Sequence, residues 1–190
     1  MSTGGTTGSL VTAIILDDVK VHLRIDDTDS DAIITEYIAA AVVYIEERTG
    51  RRILSASETD YFDSWTSFLQ LSRHPLISLD SITYYDADNA QQTLSSSLYM
   101  IDQESVPARI HIAYNQTLPS MTAQLNGIAV NYTAGSGATW ISAPVTLRQA
   151  LYLLVGDWFT MRENSTTDKL QDINYGVEAL INLNKTSWSF

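Results

Sequence analysis

The sequence predicts an α+β protein whose helical core, built from the N- and C-terminal segments, carries a mostly antiparallel β unit inserted between two long helices. Two apolar helix patterns, at residues 31–48 and 144–162, are too hydrophobic all round for ordinary surface helices. Between them the hydrophobic period changes to two, which is typical of strands. The chain has 190 residues and no cysteine, so this core must form without disulfides.

The N-terminal part of the chain predicts an arm followed by a short helix. Residues 1–9 are assigned to a flexible arm, because they have neither the basic region nor the apolar run of a secretory signal peptide. Residues 17–24 predict a short helix with Val19 and Leu23 on its apolar side. An aspartate-rich run at residues 26–31 separates this helix from the next, and acids at a helix start favour the positive end of its dipole.

The first long helix, at residues 31–48, presents two apolar stripes. Gly50 is predicted to end it in the left-handed conformation that glycine adopts readily. The stripe assigned to the core consists of Ile34, Ile38, Ala41 and Ile45. The stripe beside it consists of Ile33, Tyr37, Ala40 and Tyr44. A helix that is apolar on two sides is normally buried on two sides, so we predict the second stripe as a candidate subunit interface.

Residues 51–138 are predicted to form the β-rich insertion. Turn residues such as those at 86–89 separate its short strand patterns, which favours antiparallel pairing. The patterns occur at residues 68–71, 78–85, 93–94, 99–102, 109–114 and 128–132. In the fifth pattern the apolar face is predicted to consist of Ile110, Ile112 and Tyr114, with Arg109 and His111 on the other face.

The second long helix, at residues 144–162, is predicted to close the core. Pro144 stands at its start, where the missing backbone N–H costs nothing. Its main stripe consists of Leu147, Leu151, Leu154, Trp158 and Met161. We expect the first four of these to pack against the core stripe of the first long helix. A last short helix is predicted from Ile173, Val177, Leu180 and Ile181.

We therefore predict one domain over residues 1–190, in which residues 10–50 and 142–183 supply the helical core. Residues 184–190 form a polar tail that ends with Trp188 and Phe190. A polar tail gains little from large aromatic side chains unless they dock, and aromatic residues are typical interface anchors. Trp188 and Phe190 are therefore candidate partner-binding residues, with docking on the protein's own core as the alternative.

The charge pattern argues against binding to a nucleic-acid backbone. The chain has 22 acidic and 11 basic residues and a formal net charge of −11. Phosphate binding needs clustered Lys and Arg. The basic cluster of Arg48, Arg51 and Arg52 is explained by the C-terminal end of the first long helix. Gly156 and Asp157 interrupt the best candidate for a membrane span, so no membrane association is predicted.

No residue pattern predicts a metal or a cofactor. Asp27, Asp29 and Asp31 resemble the start of a calcium loop, but the glycine and the closing glutamate that such a loop requires are missing. Gly135 and Gly137 lack the third glycine of a dinucleotide-binding fingerprint. We therefore assign the aspartates to helix capping and the glycines to a plain loop.

Catalytic residues are also predicted to be absent. His22, His74 and His111 are scattered along the chain and share no metal-ligand spacing. No G-x-S-x-G nucleophile elbow occurs. Each histidine is therefore interpreted as structural or merely exposed.

Five stretches in a fixed order resemble the head–tail connector (adaptor or head-completion) proteins of tailed bacteriophages and gene transfer agents. They are ILDDVKVHLRIDDTDSDAIITEYIAAAVVYIEERTGR (residues 15–51), HPLISLDSITYYDADNAQQTL (74–94), ARIHIAYNQTLP (108–119), IAVNYTAGSG (128–137) and APVTLRQALYLLVGDWFTMRE (143–163). The segment GVEALI (176–181) is similar to the family's usual closing segment. None of these stretches is a catalytic motif.

The resemblance implies a structural virion protein rather than an enzyme. Family members form a ring, usually twelvefold, beneath the portal vertex of the filled capsid. The ring extends the DNA channel and offers a docking surface for the tail or stopper protein. The implied partners are the portal protein, the tail or stopper protein and further copies of the chain, while DNA passes without specific binding. The implied location is the virion neck, after assembly in the host cytoplasm, and the free protein is either a ring or a monomer.

Two other functions stay open at this stage. In the first, the β insertion is a carbohydrate- or protein-binding module of another neck or tail component. In the second, the protein is a hydrolase, which requires Asp, Ser and His side chains to meet in one pocket.

Overall fold

The computed structural model describes residues 7–163 and 175–185, and it describes the side chains of residues 15–161 and 175–185. It has the α+β fold that the sequence predicts. Helices occupy both ends of the described chain, and antiparallel sheets occupy its middle.

The chain divides into two compact units. Residues before Gly50 and after Ser136 form a helical unit, and residues 50–136 form a β unit. The division lies next to the predicted limits of the insertion, 51–138. That the two units act together as a single domain stays a prediction.

Four α-helices and one 3-10 helix build the described part of the helical unit. They are α1 (Thr7–Leu23), α2 (Asp31–Thr49), the 3-10 helix (Trp140–Ser142), α3 (Val145–Glu163) and α4 (Tyr175–Asn182). The two long helices agree with α2 and α3, and the predicted last helix agrees with α4. Within the described residues, no helix is both long and apolar enough to cross a membrane.

The start of α1 corrects the sequence prediction. The helix begins at Thr7, so it includes residues 7–9 of the predicted flexible arm and extends well before the predicted short helix. The segment LVTAIIL, residues 10–16, is apolar and contains no helix-breaking residue, so it continues the helical pattern. Residues 1–6 of the predicted arm lie outside the described residues.

Local chemistry sets both ends of α2. Gly50 follows the helix with a φ of 71°, which a residue without Cβ adopts at little cost. At the other end, the Asp31 carboxylate lies 2.6 Å from Lys20 Nζ. The Asp27 carboxylate accepts a hydrogen bond from the backbone N–H of Asp29. The acidic run therefore organises the turn between α1 and α2.

The core of the helical unit contains the predicted stripes of α2 and α3. Trp158 departs from the prediction, because it is only partly buried, and Met161 in the last turns of α3 is 51% exposed. The residues that are at most 1% exposed include Ile34, Ile38, Ala41 and Ile45 on α2, Leu147, Leu151 and Leu154 on α3, and Val177 and Ile181 on α4.

Seven strands form two antiparallel sheets in the β unit. They are β1 (Ala56–Phe62), β2 (Phe68–Gln70), β3 (Leu76–Tyr85), β4 (Gln91–Thr93), β5 (Tyr99–Asp102), β6 (Arg109–Ile112) and β7 (Ile128–Ala134). One sheet has the order β1-β7-β3-β4 and the other the order β2-β6-β5. The sequence did not predict β1 (ASETDYF), because its partly buried face carries Glu58 and Asp60 in place of apolar residues.

The core of the β unit receives side chains from both sheets. Ile128, Val130 and Tyr132 alternate along β7 and are fully buried, as predicted. The prediction for the apolar face of β6 holds for Ile110 but not for Tyr114, which is 84% exposed. The reason is that β6 ends at Ile112, itself 39% exposed, so the alternation of faces does not continue to Tyr114.

Candidate functional site

The predicted interface stripe on α2 is largely occupied by contacts within the helical unit. The Tyr37 ring packs edge-on against Trp158 of α3, with 6.2 Å between the ring centroids. The Tyr44 hydroxyl donates a hydrogen bond of 2.9 Å to Glu178 Oε1 on α4. Both tyrosines therefore connect α2 to other helices of the same chain, and a further contact with a neighbouring subunit stays a prediction.

Glu178 is the polar centre of the contact between α2 and α4. Arg48 binds the same oxygen, Oε1, with its Nη2. The hydrogen bonds from Arg48 and then Tyr44 lower the pKa of the Glu178 carboxyl. Burial, followed by the contact with Glu178, raises the pKa of Tyr44. The arrangement is a charged carboxylate that two donors hold in place.

The exposed face of α2 is small, apolar and bounded by carboxylates. Ile33 is partly buried, whereas Ala40 is exposed and Val43 is 59% exposed. We call this face the α2 strip; it consists of Ala32, Glu36, Ala39, Ala40, Val43 and Glu47. Ala40 belongs to the predicted interface stripe, whereas Ala39 and Val43 were not predicted, because the stripe is marked by larger apolar side chains. Both residues lie on the helix face opposite the core stripe, and this position in the helical period could have predicted that they are exposed.

A second exposed apolar surface lies on the outer face of the three-stranded sheet. Phe68 on β2 and Met100 on β5 are both register partners of His111 on β6, so the three side chains form one row on the same face. Arg109 lies two positions along β6 and therefore shares that face. Phe68 is 36% exposed and Met100 is 55% exposed. We call Phe68, Met100, Arg109 and His111 the sheet patch.

Contacts within the sheet patch fix its aromatic ring beside a positive charge. Arg109 Cζ lies 5.1 Å from the centroid of the Phe68 ring, and the His111 ring lies 5.5 Å from it. The register partner of Arg109, Asp102, accepts hydrogen bonds from Ser105, which lower the pKa of the Asp102 carboxyl, and the positive charge of Arg109 lowers it further. The Arg109 Nε atom is buried and has no hydrogen-bond partner among the described residues. Phe, Met and Arg are residue types that are enriched at protein interfaces.

Asp60, Ser72 and Tyr132 form a hydrogen-bonded group. It contains the Asp and Ser side chains that a hydrolase would require. The Ser72 hydroxyl donates to Asp60 at 2.6 Å, and the Tyr132 hydroxyl donates to the same carboxylate at 3.0 Å. Burial raises the pKa of Tyr132 to about 12. Among the hydrogen bonds of the described residues, Ser72 has no histidine partner that could remove its proton. The group therefore acts as a polar cross-link between β1, β7 and the segment before β3.

The three histidines occupy separate surroundings. The His22 ring stacks on Tyr152, with 5.4 Å between centroids. His74 is 2% exposed, and His111 belongs to the sheet patch. Within the part of the chain that the structure describes, no three His, Asp or Glu side chains are grouped so as to hold a metal ion.

The candidate tail residues Trp188 and Phe190 lie outside the described residues. Asn184, just before them, is anchored on the helical unit. Its Nδ2 donates to Thr146 Oγ1 on α3 at 2.7 Å and to the Leu180 carbonyl on α4 at 2.9 Å. The chain is thus held by its own helices as far as residue 184.

Comparison with protein families identifies one match. A family model described as phage gp6-like head-tail connector protein matches residues 13–136, which is more than half of the chain. This region contains α2, the α2 strip and the sheet patch. A search of the curated proteins gives no match.

Solved structures share the fold over nearly the whole chain. A chain in the neck of an empty gene transfer agent (GTA) particle, computed with C6 symmetry, has a TM-score of 0.76 at 22% identity, and the match covers 92% of this chain and 90% of that one. A chain in the virion of a native GTA particle has a TM-score of 0.75 at 24% identity, with coverage of 99% and 95%. A chain in the neck of a native GTA particle, computed with C12 symmetry, has a TM-score of 0.74 at 24% identity, with coverage of 100% and 95%.

Proposed function

The chain belongs to the phage gp6-like head-tail connector family, and from that premise we propose that it forms a ring in the neck between capsid and tail. Proteins of this family are structural components of virions, so the chain is a connector protein and not an enzyme. The observation that carries the proposal is the family match over residues 13–136. The likeness of fold to chains from GTA necks supports it.

The proposed ring contains twelve copies and lies beneath the portal vertex. The symmetry of the GTA neck structures, C6 and C12, supports this number by analogy. In a closed ring, one face of each subunit meets a different face of the next. Ile33, Tyr37, Ala40 and Tyr44 remain the proposed interface stripe, and Ala40 is its exposed member.

The proposed ring extends the DNA channel and gives the tail or stopper protein a surface on which to dock. The formal net charge of −11 supports this role. An acidic surface repels phosphates, so DNA can move past it without specific binding. The proposed location is therefore the virion neck, and assembly takes place in the host cytoplasm.

The residues that follow Asn184 are the proposed contact with the portal protein. Since Asn184 is anchored on α3 and α4, a partner contact through the tail would begin after this residue. Trp188 and Phe190 supply the two large aromatic side chains of this segment. Aromatic anchors of this kind carry much of the binding energy at many interfaces.

Cosedimentation tests the proposed location. Purified protein mixed with portal-containing capsids or isolated portal rings is expected to sediment with them at physiological salt, and capsids without a portal serve as the control. Electron microscopy of the assembled particles is expected to show a ring directly beneath the portal. No association with portal-bearing particles would contradict the proposal. A ring at another level of the neck would favour the alternative, a neck or tail component with a binding β module.

Truncation of the tail tests the proposed portal contact. Deletion of residues 186–190 leaves Asn184 and its two hydrogen bonds intact. We expect the truncated protein to lose cosedimentation with portal rings while its Tm stays nearly unchanged. The double variant Trp188→Ala with Phe190→Ala is expected to behave in the same way. A large drop in Tm would instead mean that the tail packs on the protein's own core.

A further inference from the structure

The two exposed apolar surfaces carry charged groups of opposite sign, and we propose that they are the two sides of one subunit contact. In this contact the sheet patch of one copy packs against the α2 strip of the next copy. The inference rests on the proposed ring, which needs two different faces of the same chain to meet. It identifies these two faces as the sheet patch and the α2 strip.

The sheet patch supplies the large side of the contact and the guanidinium of Arg109, whose register partner is Asp102. Phe68 and Met100 project from the outer face and are 36% and 55% exposed. Arg109 is held against the Phe68 ring, so its guanidinium is already ordered before a partner arrives. An arginine that is ordered in advance loses less entropy when it binds a carboxylate.

The α2 strip supplies the small and negatively charged side. Ala39, Ala40 and Val43 are exposed, and their short side chains leave room for larger ones from a partner. Glu36 and Glu47 bound this apolar centre. They lie about 16 Å apart along the helix axis at 1.5 Å per residue. The outer strands of the patch are about 10 Å apart, so the patch fits between the two carboxylates.

Complementary charge favours this pairing over contact between identical faces. Two α2 strips that met face to face would bring their carboxylates together, and like charges at an interface are unfavourable. Each sheet patch has Asp102 as the register partner of Arg109, so two patches offer each other no net opposite charge. A contact between identical faces also gives a closed pair of subunits and not a ring. The pairing of the patch with the strip satisfies both requirements.

Cysteine cross-linking tests the contact directly, because the native chain has no cysteine. Met100→Cys protein is mixed with Ala40→Cys or Val43→Cys protein, assembled on portal-bearing capsids and mildly oxidised. We expect a disulfide-linked dimer from at least one pair, since a disulfide forms only between residues whose Cα atoms lie within about 7 Å. Leu125→Cys, at a position that is 82% exposed, replaces Met100→Cys as the control and is expected to give none.

The outcomes separate this contact from the proposed function. If rings assemble and neither pair cross-links, the contact is wrong and the connector function stands. If the unmodified protein forms no ring on portal-bearing capsids, the proposed function fails and the contact fails with it. Dimers that form equally with Leu125→Cys would mean random collision and would overturn the contact.

Charge reversal provides a second readout that does not depend on disulfide geometry. Arg109→Glu and Glu36→Arg are each expected to raise the protein concentration needed for ring assembly by about two- to fivefold, as exposed ion pairs do. The double variant restores an ion pair of reversed polarity and is expected to assemble at a lower concentration than either single variant. If Arg109→Glu assembles like the native protein, or if the double variant is no better than either single one, the proposed charge pairing is wrong.

Discussion

At the scale of single residues, the fold changes the chemistry of His74. Its side chain is 2% exposed, and its Nε2 atom has no hydrogen-bond partner among the described residues. Burial, together with the positive charges of Arg51 and Arg73, lowers the pKa of His74 from 6.5 to about 4. The imidazole is therefore neutral in the folded protein at neutral pH, although the unfolded chain would protonate it just below pH 6.5.

We predict that the protein loses stability as the pH falls from about 6.5 to about 4, because only the unfolded state binds the His74 proton in that window. The shift corresponds to a loss of about 3 kcal/mol in the free energy of unfolding across the window. Urea denaturation at several pH values measures it. His74→Leu should flatten this part of the curve, whereas His111→Gln should keep the native slope. An unchanged slope in His74→Leu would refute the assignment.

At the scale of secondary structure elements, α4 depends on its contacts with the other helices. It has eight residues, and an isolated helix of this length is unstable in water. Val177 and Ile181 bury its apolar side, and Glu178 joins it to Tyr44 and Arg48 of α2. The sequence predicted the apolar residues of α4, but it gave no sign that Glu178 meets α2 residues distant in the chain.

We predict that Glu178→Ala weakens the attachment of α4 by about 1 kcal/mol, because it removes two hydrogen bonds at a partly exposed site. Amide hydrogen exchange of residues 175–182 is expected to become about fivefold faster, which corresponds to that free energy. Glu36→Ala removes a carboxylate from the exposed face of α2 and serves as the matched control. Equal exchange rates in Glu178→Ala and the native protein would mean that apolar packing alone holds α4.

At the scale of the whole molecule, the β unit has the properties of an independent folding unit. Its core contains fully buried side chains from both sheets, among them Leu71, Ile82 and Val130. It is one continuous segment of the chain. The pairing of Ala56 with Ala134 brings its two ends together. The helical unit, in contrast, needs segments from both sides of this insertion.

We predict that residues 50–136, produced alone, fold into an antiparallel β structure, because all strands of both sheets and their core lie within this segment. Circular dichroism and a cooperative thermal transition would measure the fold. Val130→Asp places a charge in the core and should abolish the transition, which makes it the matched control. A disordered segment at 25 °C would mean that the β unit needs the helical unit to fold.

The α+β class, the long helices α2 and α3 and six of the seven strand positions could be predicted from the sequence. They follow from hydrophobic period and from end residues such as Gly50, which act over a few neighbouring positions. The resemblance to head–tail connectors rests instead on five ordered stretches of the sequence. The strand β1 was not predicted, because Glu58 and Asp60 occupy its partly buried face. Asp60 accepts hydrogen bonds from Ser72 and Tyr132, which only the fold brings close.

Which of the apolar surfaces are exposed depends on contacts between distant parts of the chain. Tyr37 and Tyr44 belong to a stripe that the helical period marks as surplus, yet Trp158 and Glu178 contact them from distant parts of the chain. The sheet patch exists because strand register sets Phe68, Met100 and His111 in one row. Register and helix packing bring together residues far apart in sequence, and the period of a single element contains no information about its partners.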